Sequence, residues 1–117
     1  MTTANQAKGA AWERDIRTYL TETLGRHVVR RPRNEGFKDV GDIHVSPFVL
    51  QAKNVAAITL SAFVEAAEAQ AVNADEPFGV DVVKRRGKGA ADGYVVMSLR
   101  TFRRVLTLLY PNQTQEH

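Results

Sequence analysis

The sequence predicts an α/β fold in which a mixed central β-sheet is flanked by helices, and two observations support this class. Apolar residues recur at helical spacing in three stretches, near residues 8–25, 59–74 and 99–109. Short stretches of strand character lie between them, at 27–31, 42–45, 49–54, 78–84 and 94–97. The order helix, three strands, helix, two strands, helix is typical of a sheet with helices packed against it.

The first helix is predicted over residues 8–25 because its apolar residues form one stripe, and Gly25 is a suitable C-terminal residue. The stripe consists of Trp12, Ile16, Tyr19, Leu20 and Leu24. Residues 27–31 have the β-branched character of a strand, and residues 33–41 are expected to form a polar loop.

The next two strands are predicted to form a hairpin around Ser46, Pro47 and Phe48. Strand side chains alternate between the two faces of a sheet. A hairpin loop of two or four residues, or one with a bulge, would therefore place Asp42 and His44 on the same face as Gln51 and Lys53. The hairpin would then carry a polar patch beside an apolar core.

Two further helices complete the predicted fold. The second begins after Thr59 or Ser61, either of which is a suitable N-cap, and runs to about Ala74. The exposed loop 85–93 separates the last two strands, and Ser98 is the expected N-cap of the third helix. The residues of the third helix expected to face inward are Leu99, Phe102, Val105, Leu106 and Leu109.

Length and composition predict one domain over residues 1–117, with a core at about 8–109 and a polar tail at 111–117. No apolar run approaches the roughly 20 residues that span a bilayer, so no membrane partner is expected. The chain has no cysteine, and its first residues lack the apolar core of a secretory signal. A cytoplasmic, intracellular setting is the simplest expectation.

Positive charge is concentrated in three short stretches, although the net charge is only +3. Twelve of the 16 Lys and Arg residues fall within residues 26–38, 84–88 and 100–104. Basic clusters of this kind suit the neutralisation of phosphates and indicate nucleic-acid binding. The alternative is a set of solvated charged faces.

Three residues suggest a catalytic site, although each has an ordinary structural explanation. Glu13 lies within the apolar stripe of the first helix, where it needs a partner, and Arg17 at i,i+4 could serve. Asp42 could be an ordinary turn or strand-start aspartate, and Lys53 could be an edge lysine that discourages aggregation. Together, the acids, their short spacing to the lysine and the placement of this lysine two residues after a polar position are less easily explained by these separate structural roles.

These residues resemble the motifs of the PD-(D/E)XK nucleases, and among them the archaeal and phage Holliday-junction resolvases. The matching residues are Lys8-Gly9 with Glu13-Arg14, then Gly41-Asp42-Ile43, then Gln51-Ala52-Lys53-Asn54. The predicted element order also matches, over about residues 8–109. The resemblance implies a restriction-endonuclease-like core and a Mg²⁺- or Mn²⁺-dependent endonuclease that cuts four-way DNA junctions as a homodimer. It also implies a role in DNA recombination and repair, with a phage gene as one source.

By this resemblance, Asp42 would bind the cation directly, and Glu13 would bind it directly or through water. Lys53 would orient or activate the attacking water and stabilise the phosphoryl transition state. The basic residues that would bind DNA are Lys8, Arg14, Arg30, Arg31, Lys84, Arg85, Arg86 and Lys88. For residues 84–89 the alternative is a flexible solvated loop.

Gln51 departs from the family pattern, because the family carries Asp or Glu at this position. Its amide oxygen could bind the cation but adds no charge, and Glu68 on the second helix is the candidate for the missing carboxylate; the alternative is a solvated glutamate. His44 is expected to pack at the rim of the site. Two other functions stay open: a DNA-binding module that has lost catalysis, and a nuclease acting on linear DNA.

Overall fold

The computed structural model describes residues 3–32 and 38–113 of the chain. Its helices are α1 (Ala4–Leu24), α2 (Leu60–Asn73) and α3 (Leu99–Leu109), and its strands are β1 (Ile43–Val45), β2 (Phe48–Lys53), β3 (Phe78–Val83) and β4 (Tyr94–Val96). Single 3₁₀ turns follow at Ala90–Asp92 and Pro111–Gln113. Most of the predicted loop 33–41 and of the predicted tail lies outside the described residues. Within these ranges, no helix combines the length and apolar character needed to cross a membrane.

The four strands form one mixed sheet in the order β1-β2-β3-β4. Strand β2 pairs antiparallel with β1 and parallel with β3, while β4 pairs antiparallel with β3. Helix α2 is the crossover that joins the two parallel strands, as a parallel connection requires. The predicted α/β class with a mixed sheet and three helices is confirmed.

Helix α1 begins four residues earlier than its apolar stripe suggested, because Thr3 caps it. The Thr3 hydroxyl accepts from the Gln6 backbone N–H at 3.1 Å, and the Gln6 side chain accepts from the Thr3 N–H at 2.9 Å. This reciprocal capping box satisfies two N–H groups that a helix start leaves free. The helix ends at Gly25, whose φ of 86° suits glycine.

The core lies between α1 and one face of the sheet. Trp12 and Ile16 are buried against β-strand residues that include Leu50 and Val82. The indole Nε1 of Trp12 also donates to the Val82 carbonyl at 2.9 Å, so the largest core side chain has its polar atom paired. This bond fixes the position of α1 along the sheet.

Helix α2 covers the opposite face and approaches it closely at Gly79. A Cβ atom at this position would overlap the carbonyl oxygen of Ala67 in α2. Because Ala67 and Ala71 are both buried there, small residues on helix and strand bring the two backbones together. Side chains of β2 and β3 that share the face of Gly79 are therefore held beneath α2.

The predicted strand at 27–31 is wrong, since these residues form a turn followed by one isolated bridge. Val28 and Val29 both donate to the Gly25 carbonyl at 3.2 Å, which bends the chain. Only Arg30 then pairs with β1, through two hydrogen bonds with His44 at 2.9 and 2.7 Å. Val29 is buried, so the β-branched pattern reflected burial in the core and not a regular strand.

The expectation for α3 is correct in its start and wrong for three of its five inward residues, since only Val105 and Leu106 are partly buried. Ser98 caps the helix, as predicted, by accepting from the Thr101 N–H at 3.0 Å. However, Leu99, Phe102 and Leu109 are exposed by 80%, 43% and 69%. Amphipathicity predicted an apolar face but could not show that this chain leaves much of it uncovered. The α1 stripe is also shorter than expected, because Tyr19 and Leu24 are largely exposed.

Candidate functional site

Asp42 lies where β1 meets β2, at the start of the hairpin. Its backbone N–H donates to the Leu50 carbonyl at 3.0 Å, and its Oδ2 accepts from the Ala52 N–H at 2.9 Å. These two bonds replace regular strand pairing at this position and direct the carboxylate along β2. One carboxylate oxygen is therefore committed to the backbone, and the other is free to face a ligand.

The pKa of Asp42 is raised above its ordinary value, mainly because burial disfavours the charged form. The hydrogen bond from Ala52 opposes this shift, the negative charges of Glu13 and Asp39 add to it, and Lys53 lowers it. Glu13 and Lys53 therefore both act electrostatically on Asp42. A cation at this position would relieve the repulsion between the carboxylates.

Glu13 occupies the inner edge of α1, with its side chain only 20% exposed. Its Oε1 lies 3.8 Å from Arg17 Nε and 3.5 Å from Arg31 Nε. The ordinary pairing with Arg17 is present, and Arg31 adds a second, more exposed cation from the segment before the loop. The Glu13 carboxylate therefore lies between two guanidinium groups, and its charge also acts on Asp42.

Gln51 and Lys53 lie on the α2 face of the sheet. The hairpin loop contains two residues, since Ile43 pairs with Leu50 and Val45 with Phe48. The pairing ends at Ile43, and Asp42 is held beside β2 by its hydrogen bonds with Leu50 and Ala52 instead of by a pairing with Gln51. The Nζ atom of Lys53 lies 4.6 Å from the centre of the Phe63 ring of α2. Lys53 is thus supported by a cation–π contact while its charge still acts on Asp42.

Asp81 is a carboxylate at this site that the sequence reasoning missed. It pairs in register with Gln51 on the neighbouring parallel strand, and it is 0% exposed. Burial raises its pKa to about 6, against the lowering effect of Lys53. Its signal in the sequence is a charged residue inside the apolar strand FGVDVV, where an unpaired charge is costly.

Glu68, the candidate for the missing carboxylate, is engaged at the start of α3. Its Oε2 accepts from the hydroxyls of Ser98 at 2.8 Å and Thr101 at 3.1 Å. Its Oε1 lies 3.6 Å from Arg100 Nη2. The structure therefore joins Glu68 to the N-terminus of α3, and Glu68 is not among the charges that act on Asp42.

His44 holds the edge of the hairpin. Its Nε2 lies 2.7 Å from the Val40 carbonyl oxygen, a distance at which the ring N–H donates to it. Its backbone forms the bridge to Arg30. His44 therefore connects β1 to Val40 and to Arg30.

Several of the predicted DNA-binding residues gather at the carboxyl ends of β2 and β3. The Lys84 N–H donates to the Lys53 carbonyl at 2.9 Å, so the basic loop begins beside Lys53. The Asn54 amide reaches the Lys8 carbonyl at 3.5 Å, which brings the start of α1 to the same end. Three further basic residues continue from this end along the exposed loop: Arg85, Arg86 and Lys88.

A second basic surface lines an open groove of about 920 Å³ on the other side of β1. Its basic side chains are Arg30, Arg31 and Lys38, joined by the imidazoles of His27 and His44. Arg31 belongs both to this groove and to the pair with Glu13. Arg14 is exposed on α1.

The residues at the site match a hard divalent cation in donor type. Carboxylate and amide oxygens are the ligands that Mg²⁺ prefers, commonly with several retained waters. Buried oxygens without a hydrogen-bond partner in the described part of the chain include Gln51 Oε1 and both carboxylate oxygens of Asp81. Across the same residues, no group of three or more His, Cys, Asp or Glu is arranged to hold a metal. Any cation here would therefore depend on the amide of Gln51 and on water.

Comparisons of the chain with protein-family models, with curated proteins and with solved structures found no match.

Proposed function

We propose that this protein is a metal-dependent endonuclease of the PD-(D/E)XK kind that cleaves phosphodiester bonds in branched DNA. The observation that carries the proposal is the placement of Asp42, whose Oδ2 accepts from the Ala52 N–H one residue before Lys53. A half-buried Asp42, pointed along β2, is acted on by Glu13 from α1 and by Lys53 from the same hairpin. These are the three residues on which the motif resemblance depends, and Glu13 comes from α1 whereas Asp42 and Lys53 come from the hairpin.

The proposed chemistry follows from what each residue can do. Asp42 and Glu13 would hold Mg²⁺ or Mn²⁺, and Gln51 would add a neutral oxygen. The cation would lower the pKa of a bound water and polarise the scissile phosphate. Lys53, held by the Phe63 ring, would orient the water and stabilise the extra negative charge of the transition state.

The surroundings of the site favour DNA as the substrate. The basic loop 84–88 begins beside Lys53, and the groove with Arg30 and Arg31 lies on the other side of β1. Phosphates bound on both sides would place a DNA strand across the hairpin. Contacts to phosphates give affinity and position without reading the sequence, as a structure-selective nuclease requires.

A homodimer is part of the proposal, because two strands of a junction must be cut. The exposed apolar residues of α3, chiefly Leu99, Phe102 and Leu109, offer a surface that a second copy could cover. Size-exclusion chromatography with light scattering tests this part separately. A monomer at all concentrations would refute the dimer without affecting the assignment of the active site.

The test of the activity is cleavage of labelled four-way junctions, linear duplex and single strands with Mg²⁺, with Mn²⁺ and with a chelator. Asp42→Asn and Lys53→Ala should each abolish cleavage while leaving junction binding largely intact. Asp15→Asn, an exposed acid on α1, is the matched control and should cleave normally. Unimpaired turnover by either site variant would refute the proposal. Faster cleavage of linear duplex than of junctions would identify linear DNA, and not the four-way junction, as the substrate.

The second candidate function is a DNA-binding module that keeps the fold and has lost catalysis. The observation that favours it is the absence, among residues 3–32 and 38–113, of a group of three acids that could hold a metal. The discriminating measurement is cleavage rate against metal concentration for wild type, Gln51→Glu and Glu68→Gln. If wild type does not cleave DNA and Gln51→Glu does, the natural protein is a DNA-binding module that has lost catalysis. We expect Glu68→Gln to cleave normally, because Glu68 serves the start of α3.

A further inference from the structure

Gln51 and Asp81 form a row of two oxygen-bearing side chains on adjacent strands, because the register pairs Gln51 of β2 with Asp81 of β3. Asp42 lies just before β1, where its Oδ2 accepts from the Ala52 N–H of β2. Adjacent strands lie about 4.8 Å apart, so neighbouring members of the row are within reach of a shared ligand. Lys53 stands two residues further along β2, on the same face.

The oxygens of this row lack hydrogen-bond donors. Of the described side chains, none donates to Gln51 Oε1 or to either carboxylate oxygen of Asp81, although all three atoms are buried. Buried polar atoms in folded proteins almost always have a partner, since leaving them without one costs free energy. The three oxygens belong to side chains that are paired in register on adjacent strands. A bound cation would satisfy all three, whereas a protonated Asp81 carboxyl that donates to Gln51 is the alternative without a metal.

We propose that Asp81 and Gln51 together bind the divalent cation of this site, with Asp81 supplying the negative charge that glutamine at position 51 lacks. The inference rests on the proposed nuclease function and identifies the residue that completes its metal site. Two oxygen donors come from adjacent strands held in register, and Asp42 lies at the end of the hairpin that includes β2. The Gln51 residue is only half-buried although its Oε1 is enclosed, so a cation would enter the row from the side of Gln51.

This arrangement also explains how the site differs from a group of three acids. Position 51 is an amide, so the negative charge lies on Asp81 of β3 and on Asp42 just before β1, and not on β2. A single cation bound by Asp81 and Gln51 would complete its coordination with water, as Mg²⁺ commonly does. Lys53, whose charge acts on both Asp42 and Asp81, would then lie between the two carboxylates.

The first test measures Mn²⁺ binding to the purified wild-type protein by NMR. Paramagnetic Mn²⁺ should broaden the carboxylate signal of Asp81 and the side-chain amide signal of Gln51 at low metal concentration. The signal of Asp15, on the exposed side of α1, should stay sharp and serves as the internal control. If Gln51 instead donates its amide N–H to Asp81, Mn²⁺ leaves both signals sharp, and the proposal is overturned.

The second test measures Mn²⁺ affinity by calorimetry for variants without DNA. Asp81→Asn should weaken binding by at least about tenfold, because loss of outer-shell partners alone weakens metal sites by about 10–100-fold. Adding Gln51→Glu to Asp81→Asn returns the lost charge to the neighbouring strand and should restore most of the affinity. Asp15→Asn should bind as wild type does. Equal affinity of wild type and Asp81→Asn would overturn the proposal.

Failure of this inference is distinguishable from failure of the proposed function. If Asp81→Asn binds Mn²⁺ and cleaves DNA as wild type does while Asp42→Asn does neither, the nuclease remains and only the role of Asp81 is refuted. If wild type neither binds Mn²⁺ nor cleaves DNA, both proposals fail. If Asp81→Asn does not fold, the NMR measurement on wild type still decides the question.

Discussion

Replacing Asp81 by asparagine is expected to stabilise the protein at neutral pH when a chelator is present. The carboxyl is 0% exposed, and its pKa is raised from 3.8 to about 6 by burial. The folded state therefore holds the Asp81 proton at pH values where the unfolded state has released it. The stability that the protonated carboxyl contributes is fully present below pH 3.8, falls as the pH rises through about 6, and is lost above it.

The magnitude follows from the size of the pKa shift. A rise from 3.8 to about 6 corresponds to about 3 kcal/mol, since each pKa unit is worth about 1.36 kcal/mol. Asparagine carries no charge at any pH, and its amide can donate to the unpaired Oε1 of Gln51. Asp81→Asn should therefore match wild type near pH 4 and exceed its free energy of unfolding by up to about 3 kcal/mol above pH 7.

Urea unfolding of both proteins from pH 4 to pH 8, in the presence of a chelator, measures this difference. Asp15→Asn controls for the change of net charge, because Asp15 is exposed on α1. The expected result is a stability difference that grows through the interval between pH 4 and 6 and then stays constant. A difference that is absent or independent of pH would show that the Asp81 carboxylate has a compensating partner, and would refute the reasoning.

Three further predictions concern the DNA-binding surface and the packing. Replacing the basic residues 84–86 by alanine should weaken binding to all DNA sequences and reduce the log-log salt slope by about 0.9 per lost phosphate contact, measured by fluorescence anisotropy over a salt series. An unchanged slope would mean that this loop faces away from DNA. Gly79→Ala should lower the free energy of unfolding by about 1–3 kcal/mol, measured with urea, because the added Cβ would overlap the Ala67 carbonyl of α2. Trp12→Phe should lower the free energy of unfolding by about 1–3 kcal/mol, because it removes the indole N–H that donates to the Val82 carbonyl. A variant as stable as wild type would show that this hydrogen bond does not contribute to stability.

The resemblance to a nuclease arose from short motifs, and the structure shows which parts of them local pattern could predict. Alternation along the hairpin correctly separated Leu50 and Ala52 from Gln51 and Lys53, because strand side chains must alternate. The two-residue loop then set the register in which Ile43 pairs with Leu50, and Asp42 follows at the end of the hairpin. These features depend on neighbouring residues and were accessible to sequence reasoning.

Features that depend on distant partners were not accessible in the same way. Asp81 is 30 positions away from Gln51 in the chain and meets it only because β2 and β3 pair in parallel through α2. Glu68 lies near the apolar stripe of its helix, as expected, yet the hydroxyls of Ser98 and Thr101 engage it at the start of α3. Neither neighbour could be identified from spacing along one element.

By itself, the sequence determined the elements whose signals are local. Period and capping placed the three helices and the hairpin, and Ser98 and Gly25 marked helix ends as predicted. Only the tertiary structure decided which apolar faces are covered and which polar groups meet. It left most of α3 exposed, reduced residues 27–31 to a single bridge, and set Asp81 beside Gln51. The physical reason is that burial and pairing are properties of two surfaces at once, whereas a sequence pattern describes one of them.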